Sequence, residues 1–230
     1  MKIPDYIRPL YVELEKNANS ENAVQMQKYM KSRFEFFGIK SPLRRELYRK
    51  HINQFGLIPV ENREEIIHWC WEAPQREWQY FAMEFLGKEA KKVNKEIIGL
   101  YEFMIVTKSW WDSIDYISAN LAGPYMQKFP EQIPGLTTKW MGSGNMWLQR
   151  TCLLFQLRYK DRTNTELLSS FIRPLAPSNE FFIRKAIGWA LREYSKTNPE
   201  FVIRFVRENK LSGLSEREAL KWLRNKEKMI

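Results

Sequence analysis

The sequence predicts an all-α protein built from helix pairs that recur about every 35 residues, and three observations predict it. Glutamates return at Glu61, Glu96, Glu131, Glu166 and Glu200, at steps of 35, 35, 35 and 34, each near the start of an amphipathic run. In the same period Leu47, Ala82, Ile117, Cys152, Ile187 and Trp222 make an apolar column. Two residues earlier in that register stand Arg45, Tyr80, Asp115, Arg150 and Lys185, all polar or charged. Two residues turn a helical side chain by about 200°, so the apolar column is expected in the core and the polar column on a surface lined by successive repeats.

The elements follow in order. Residues from about 4 to 18 and 22 to 36 read as an N-terminal helical pair, helix pairs begin near 41, 75, 109, 145 and 178, and a last helix begins near 215. Pro130-Glu131 and Asn198-Pro199-Glu200 have the pattern of a helix start: a proline in the first turn, a carboxylate favoured by the helix dipole and, in the second case, an Asn cap. Short connectors carry the breakers Gly38 and Pro42, Pro74, Gly123-Pro124, Gly142 and Gly144, Pro177, and Gly213. No strand-like alternation of useful length interrupts them. The period suits HEAT or TPR units, and no TPR consensus is present. The expected architecture is a right-handed HEAT-like α-solenoid with a basic concave face, one domain over residues 1–230.

The 230 residues are 44% hydrophobic, enough to bury a sizeable core and too many for disorder. Lys and Arg total 37 against 27 acidic residues, and the net charge of +10 points to a polyanionic partner, nucleic acid before a membrane surface. The charge is segregated: eight basic and two acidic residues lie between Lys28 and Lys50, whereas residues 61 to 84 hold six acidic and two basic. A second basic stretch runs from Arg150 to Lys196. Cys70 and Cys152 form no CxxC pair, the N-terminus lacks the apolar run of a secretion signal, and no run approaches the roughly 20 residues of a membrane span. The protein is therefore expected in a reducing cytoplasm. His51 and His68 are far apart, neither beside a cysteine, and are expected as surface or packing residues and not as metal ligands. P-loop, GxGxxG and GxSxG patterns are absent, which disfavours phosphoryl, hydride and serine-acyl chemistry.

Chemistry concentrates between Thr107 and Asp115, where Trp110, Trp111, Asp112 and Asp115 fall within six residues. On a helix Trp111 and Asp115 share one face at i and i+4, an aromatic wall one turn from a carboxylate. Asp115 is also the lone anion of the polar column. One reading pairs it with Arg150 on the adjacent repeat; the other presents it to a positive charge while the surrounding cations hold a phosphate backbone. Trp189, one turn after Lys185, is either core or a second indole wall. A cleft with two indoles and a carboxylate suits hydrolysis of an N-glycosidic bond through an oxocarbenium-like sugar, with no metal or nucleotide cofactor. Lys108 reads as a phosphate contact before a Schiff-base former.

The run Ile105-Val-Thr-Lys-Ser-Trp-Trp-Asp-Ser-Ile-Asp115, with Trp147-Leu-Gln-Arg150, Lys185-Ala-Ile-Gly-Trp189 continuing to Pro199, and Tyr29-Met-Lys followed by Phe37-Gly-Ile-Lys-Ser-Pro-Leu-Arg-Arg45, closely resembles the AlkD family of bacterial DNA glycosylases over about residues 20 to 222. The resemblance implies a HEAT-like, monofunctional enzyme, acting as a monomer in the cytoplasm or on the nucleoid. Such an enzyme excises cationic N3- and N7-alkylated purines, such as 3-methyladenine and 7-methylguanine, from double-stranded DNA without extruding the base. It implies a catalytic cleft of Trp111, Asp115 and Trp189, with Arg150 holding the backbone nearby. Further DNA contacts would come from Tyr29, Arg44, Arg45, Lys108, Arg192 and Lys196, beside the column residue Lys185. Lys40 stands where the family carries Gln, so any contact of that amide to the opposite strand is in doubt. Some relatives bind branched or damaged DNA with little excision, which is the alternative function.

Overall fold

The computed structural model describes residues 2–227. They fall into two compact units, Met1–Glu89 and Ala90–Ile230. Among the described residues the regular structure is helical, with an isolated parallel bridge between Glu35 and Gln75. The first helix of each pair begins at Ser41, Arg76, Trp111, Met146 and Phe181, every step being 35 residues. The period read from the sequence is thus the period of the helices, and each start lies within three residues of its expected place.

The first unit contains α1 (Arg8–Lys16), α2 (Ser20–Tyr29), α3 (Ser41–Phe55), α4 (Arg63–Glu72) and α5 (Arg76–Glu89). Helix α1 packs on α3 and α4 on α5. The expected helix to residue 36 stops at Tyr29, because Lys31 and Ser32 take φ of 58° and 55° and the chain then runs to a buried carboxylate. Glu77 accepts the backbone N–H of Phe37 at 3.1 Å on Oε2, and those of Gly38 at 3.0 Å and Ile39 at 3.2 Å on Oε1. Three amides on one buried anion satisfy this segment better than another helical turn would. Burial raises the Glu77 carboxyl above its ordinary range, and the amide bonds oppose the rise. Gly38 is obligatory here: φ is 85°, and a Cβ would stand 2.0 Å from the Asn19 carbonyl oxygen. The Gln79 amide closes the other end of the unit's α4, donating to the carbonyls of Cys70, Trp71 and Ala73 at 2.6, 3.1 and 3.1 Å.

The second unit contains α6 (Ile97–Val106), α7 (Trp111–Ile117), α8 (Gly123–Lys128), α9 (Ile133–Gly142), α10 (Met146–Leu154), α11 (Thr165–Leu175), α12 (Phe181–Ser195), α13 (Pro199–Glu208) and α14 (Gly213–Glu227). Here α7 packs on α10, α10 on α12 and α12 on α14, with α9, α11 and α13 beside them. Asn145, Asn164 and Asn198 cap α10, α11 and α13, their side chains accepting from Trp147, Leu167 and Phe201 N–H at 2.9 Å each. The cap at Asn198 is the one the sequence shows. Pro130–Gln132 forms a 3₁₀ turn, and α9 proper starts at Ile133. A π turn, Ser118–Ala122, joins α7 to α8. It accommodates Pro124 and lets Gly123 approach the Phe155 carbonyl so closely that a Cβ would lie 2.5 Å from it.

Leu47, Ala82, Ile117, Cys152 and Ile187 are buried as expected. Trp222 is a correction: it is half-buried, because no described helix follows α14 to cover it. The polar column also needs one correction, since Arg150 is 3% exposed while Arg45 is open to solvent and Tyr80, Asp115 and Lys185 are partly so.

His51 is a packing residue, wedged against Tyr6 at 4.7 Å between centroids and against Phe55 and Phe81. Burial pushes its pKa from 6.5 to about 4. Because the folded value lies below the free one, the fold is unaffected above pH 6.5 and loses stability as pH falls towards 4. The loss should reach on the order of 3 kcal/mol at the acid end. Urea unfolding at pH 7 and pH 4.5 should show a larger drop in midpoint for wild type than for His51→Phe; equal drops would place the acid lability elsewhere.

Candidate functional site

Trp111 opens α7 with Trp110 as its N-cap residue, and Asp115 follows one turn later, so both side chains stand on one face as their spacing predicts. Both are half-buried. Asp115 is met by Arg150 from α10 through a two-toothed fork: Nε donates to Oδ1 at 2.8 Å and Nη2 to Oδ2 at 3.0 Å. The third arm, Nη1, donates to the backbone carbonyl of Phe182 in the first turn of α12. One guanidinium therefore ties together the first helices of three successive pairs. This is why Arg150 leaves the surface that its column predicts: the Asp115 side chain keeps 18% of its exposure and that of Arg150 only 4%.

The carboxylate is consequently fixed in plane and direction, and its side chain remains partly exposed. Burial pushes the Asp115 carboxyl above the ordinary Asp range; the charge and hydrogen bonds of Arg150 pull it down, and Asp112 adds to the rise. Around the fork, aromatic rings fill the space at the helix N-termini. Trp110 stands 5.9 Å from Trp147 and 5.0 Å from Phe182, and Trp147 stands 5.1 Å from Phe182. The Arg150 guanidinium lies 5.9 Å from the Phe182 ring. These half-buried rings form an apolar cluster against the Arg150 side of the ion pair. Phe182 and Trp147 escaped sequence reasoning as site residues. Their signal was a shared position, the second residue of consecutive first helices, 35 apart.

The other expected site residues are placed unequally. Trp189 is half-buried on α12, between Lys185 and Arg192 on the same face. Lys185 and Arg192 both hold Glu218 of α14, at 2.9 and 2.6 Å. Lys196 is exposed and pairs with Glu193 at 2.6 Å. Lys108 is half-buried with φ of 48°, in the turn leading into α7. In the first unit, Tyr29 is 69% exposed at the end of α2. Lys40 is exposed as the N-cap residue of α3, its side chain making no cap bond. Arg44 is buried, held by Glu84 at 2.8 Å and stacked 4.4 Å from the Tyr80 centroid, while Arg45 is exposed and 3.7 Å from the same carboxylate. Lys40, Arg45 and Lys196 are thus the exposed cations of this set, and Arg44 and Arg150 the buried ones. Among the described residues no three His, Cys, Asp or Glu side chains gather as a metal site, and no helix is long and apolar enough to cross a membrane.

A family model described as DNA alkylation repair enzyme matches residues 10–223. Among solved structures the chain is similar to one described as a predicted DNA alkylation repair enzyme from Enterococcus faecalis. The two are 34% identical with a TM-score of 0.82, and the match covers 90% of this chain and 96% of that one. No curated protein matches it significantly.

Removing one partner of the fork strands the other charge in a poorly hydrated place. Arg150→Ala should therefore cost roughly 3 kcal/mol of stability, the scale for breaking a buried pair, whereas the neutral double variant Asp115→Asn/Arg150→Gln should recover most of it. Urea denaturation of the single and double variants measures the difference. A double variant as unstable as Arg150→Ala would show that the cost lies in lost packing.

Proposed function

The chain belongs to the DNA alkylation repair enzyme family, and we propose that it is a glycosylase that hydrolyses the N-glycosidic bond of cationic N3- and N7-alkylated purines in duplex DNA. The observation that carries this reading is the carboxylate of Asp115, locked by Arg150 yet still partly exposed, one helical turn from a half-buried indole. A general nuclease or phosphatase would need a means of polarising phosphate; this arrangement is instead suited to a positive charge that appears and disappears.

The reaction supplies such a charge. An alkylated purine is already cationic, so when the bond to C1′ breaks, its electron pair returns to the ring nitrogen and the base leaves neutral. Positive charge moves to the sugar. Asp115 stabilises that oxocarbenium-like centre and accepts or orients the proton of the water that attacks C1′, and the product is an abasic site. Trp111, and Trp189 from α12, present indole faces to the same cation, each interaction being worth roughly 0.5 to 2 kcal/mol. Arg150 is assigned to holding Asp115, since its three engaged arms and its burial turn it away from a phosphate. Because the base departs without needing protonation, the base need not enter a pocket that reads its edge. Duplex binding falls to cations that contact phosphates irrespective of sequence.

The decisive measurement is release of 7-methylguanine and 3-methyladenine from alkylated duplex DNA, followed by chromatography of the freed bases. Release well above spontaneous depurination is expected; none, with tight binding to forks or junctions, would leave a DNA-structure binder. Asp115→Asn keeps the shape and removes the anion, and single-turnover excision should slow by roughly 10- to 1000-fold in folded protein. In wild type the rate should fall as pH drops, because the working form is the anion, and the inflection should sit above the ordinary Asp range in keeping with the raised pKa. A folded Asp115→Asn variant with the wild-type rate and pH profile would remove the assignment.

Affinity for duplex should fall steeply with salt. Arg45→Ala and Lys196→Ala should each flatten the log-log dependence by up to about one unit. Arg150→Gln, in folded protein, should leave the slope unchanged while slowing excision. A slope that flattens equally for Arg150→Gln would return that residue to the phosphates.

A further inference from the structure

The last helix is keyed into α12 immediately beside Trp189. A Cβ on Gly188 would lie 2.5 Å from the Glu218 Cβ and 2.8 Å from the Ser215 carbonyl oxygen, so the two helices touch where residue 188 has no side chain. The Ser215 hydroxyl donates to the Arg184 carbonyl at 2.9 Å and fixes the register along the axis. From this seat Glu218 reaches both ways along α12. Lys185 Nζ donates to its Oε1 at 2.9 Å and Arg192 Nη1 to its Oε2 at 2.6 Å.

Lys185, Trp189 and Arg192 stand at i, i+4 and i+7, one face of a helix that rises about 10 Å over that interval. The carboxylate is the inner member of the group: the Glu218 side chain is 16% exposed, Arg192 26% and Lys185 37%. Each cation gives one donor to Glu218 and keeps the rest of its donors, two on the ammonium and four on the guanidinium. The Glu218 carboxyl is held below its ordinary range by the hydrogen bond from Lys185 and by the charges of Lys185, Arg192 and Lys221. Three cations around one carboxylate leave the cluster positive.

We infer that Glu218 is a positioning residue that holds Lys185 and Arg192 as a two-point phosphate clamp on either side of Trp189, so that α14 is a working part of the active site. This rests on the glycosylase reading. Lys and Arg side chains are otherwise free rotors that lose their freedom when they grip a ligand. A carboxylate anchored against Gly188 orders them before DNA arrives and sets the lesion's sugar at a fixed distance from the Trp189 indole.

Charge alone predicts the opposite of positioning, which makes the test sharp. Glu218→Ala removes an anion from a DNA-binding surface, so affinity for lesion-free duplex should hold or rise. Base release at saturating enzyme should nevertheless fall roughly 10- to 100-fold, because the clamp is no longer ordered. Glu218→Gln, which keeps shape and part of the hydrogen bonding, should fall less, and melting curves confirm that both variants are folded. In a Lys185→Ala/Arg192→Ala background, Glu218→Ala should slow release no further. Wild-type release rates in both Glu218 variants, or a full additional loss in the double-variant background, would overturn the inference while leaving the glycosylase reading intact. A wild-type protein that frees no base would overturn both.

Discussion

The site depends on a single guanidinium. Arg150 spends three arms on two helices other than its own, two on Asp115 of α7 and one on a main-chain carbonyl of α12. Without it the Asp115 carboxylate would be a half-buried anion free to rotate, and its environment already disfavours the charged form. With it the anion is kept and aimed, its guanidinium partner lying against the cluster of Trp110, Trp147 and Phe182. The same contact fixes the spacing of the helices that carry Trp111 and Trp189. The geometry of the candidate site and helix packing are therefore one constraint, which is why replacing either member tests both.

The 35-residue period explains where partners are found. A side chain on one first helix meets the equivalent turn of the next, so many long-range polar contacts are separated by about one repeat: Arg44 with Glu84, Phe37 with Glu77, Lys95 with Glu131, Asp115 with Arg150, Gly123 with Tyr159 and Lys185 with Glu218. Each joins a helix or its connector to the following repeat. None is visible to reasoning about neighbours in sequence, and all become visible once the chain is written in rows of 35. The buried pairs among them cost desolvation, and what they supply in return is register, a property that apolar columns of similar residues specify poorly.

Much of the architecture was legible for that reason. The five first-helix starts, the apolar column from Leu47 to Ile187 and the Asn198 cap all follow from period and helix grammar. The misreadings are equally physical. Residues 30 to 36 have helical composition, yet the Glu77 carboxylate, forty residues away, captures the amides beyond them and the chain leaves the helix. Trp222 obeys the column, yet a column residue is buried only where another helix covers it. Of the cations in the polar column, only Arg150 was read with a possible carboxylate partner, Asp115. Most carry a carboxylate partner, because Glu84 and Glu218 sit outside the column and one repeat further on.

That last difference changes how a basic DNA-repair protein should be understood. A net charge of +10 attracts DNA from a distance, but attraction at the Debye scale orders nothing at the ångström scale on which chemistry proceeds. Pairing Lys185 and Arg192 with Glu218, Arg44 and Arg45 with Glu84, and Arg150 with Asp115 gives up part of the long-range field. In exchange each cation has a defined position before the substrate arrives. Asp115 carries the logic furthest, because its role is reversed. There the cation is the buried support and the carboxylate the more exposed group, and in the proposed reaction the charge it awaits would belong to the sugar only while the bond is breaking. In that proposed reaction a fixed anion near a transient cation would stabilise the transition state more than the ground state, where the positive charge still resides on the purine, and that difference would lower the barrier.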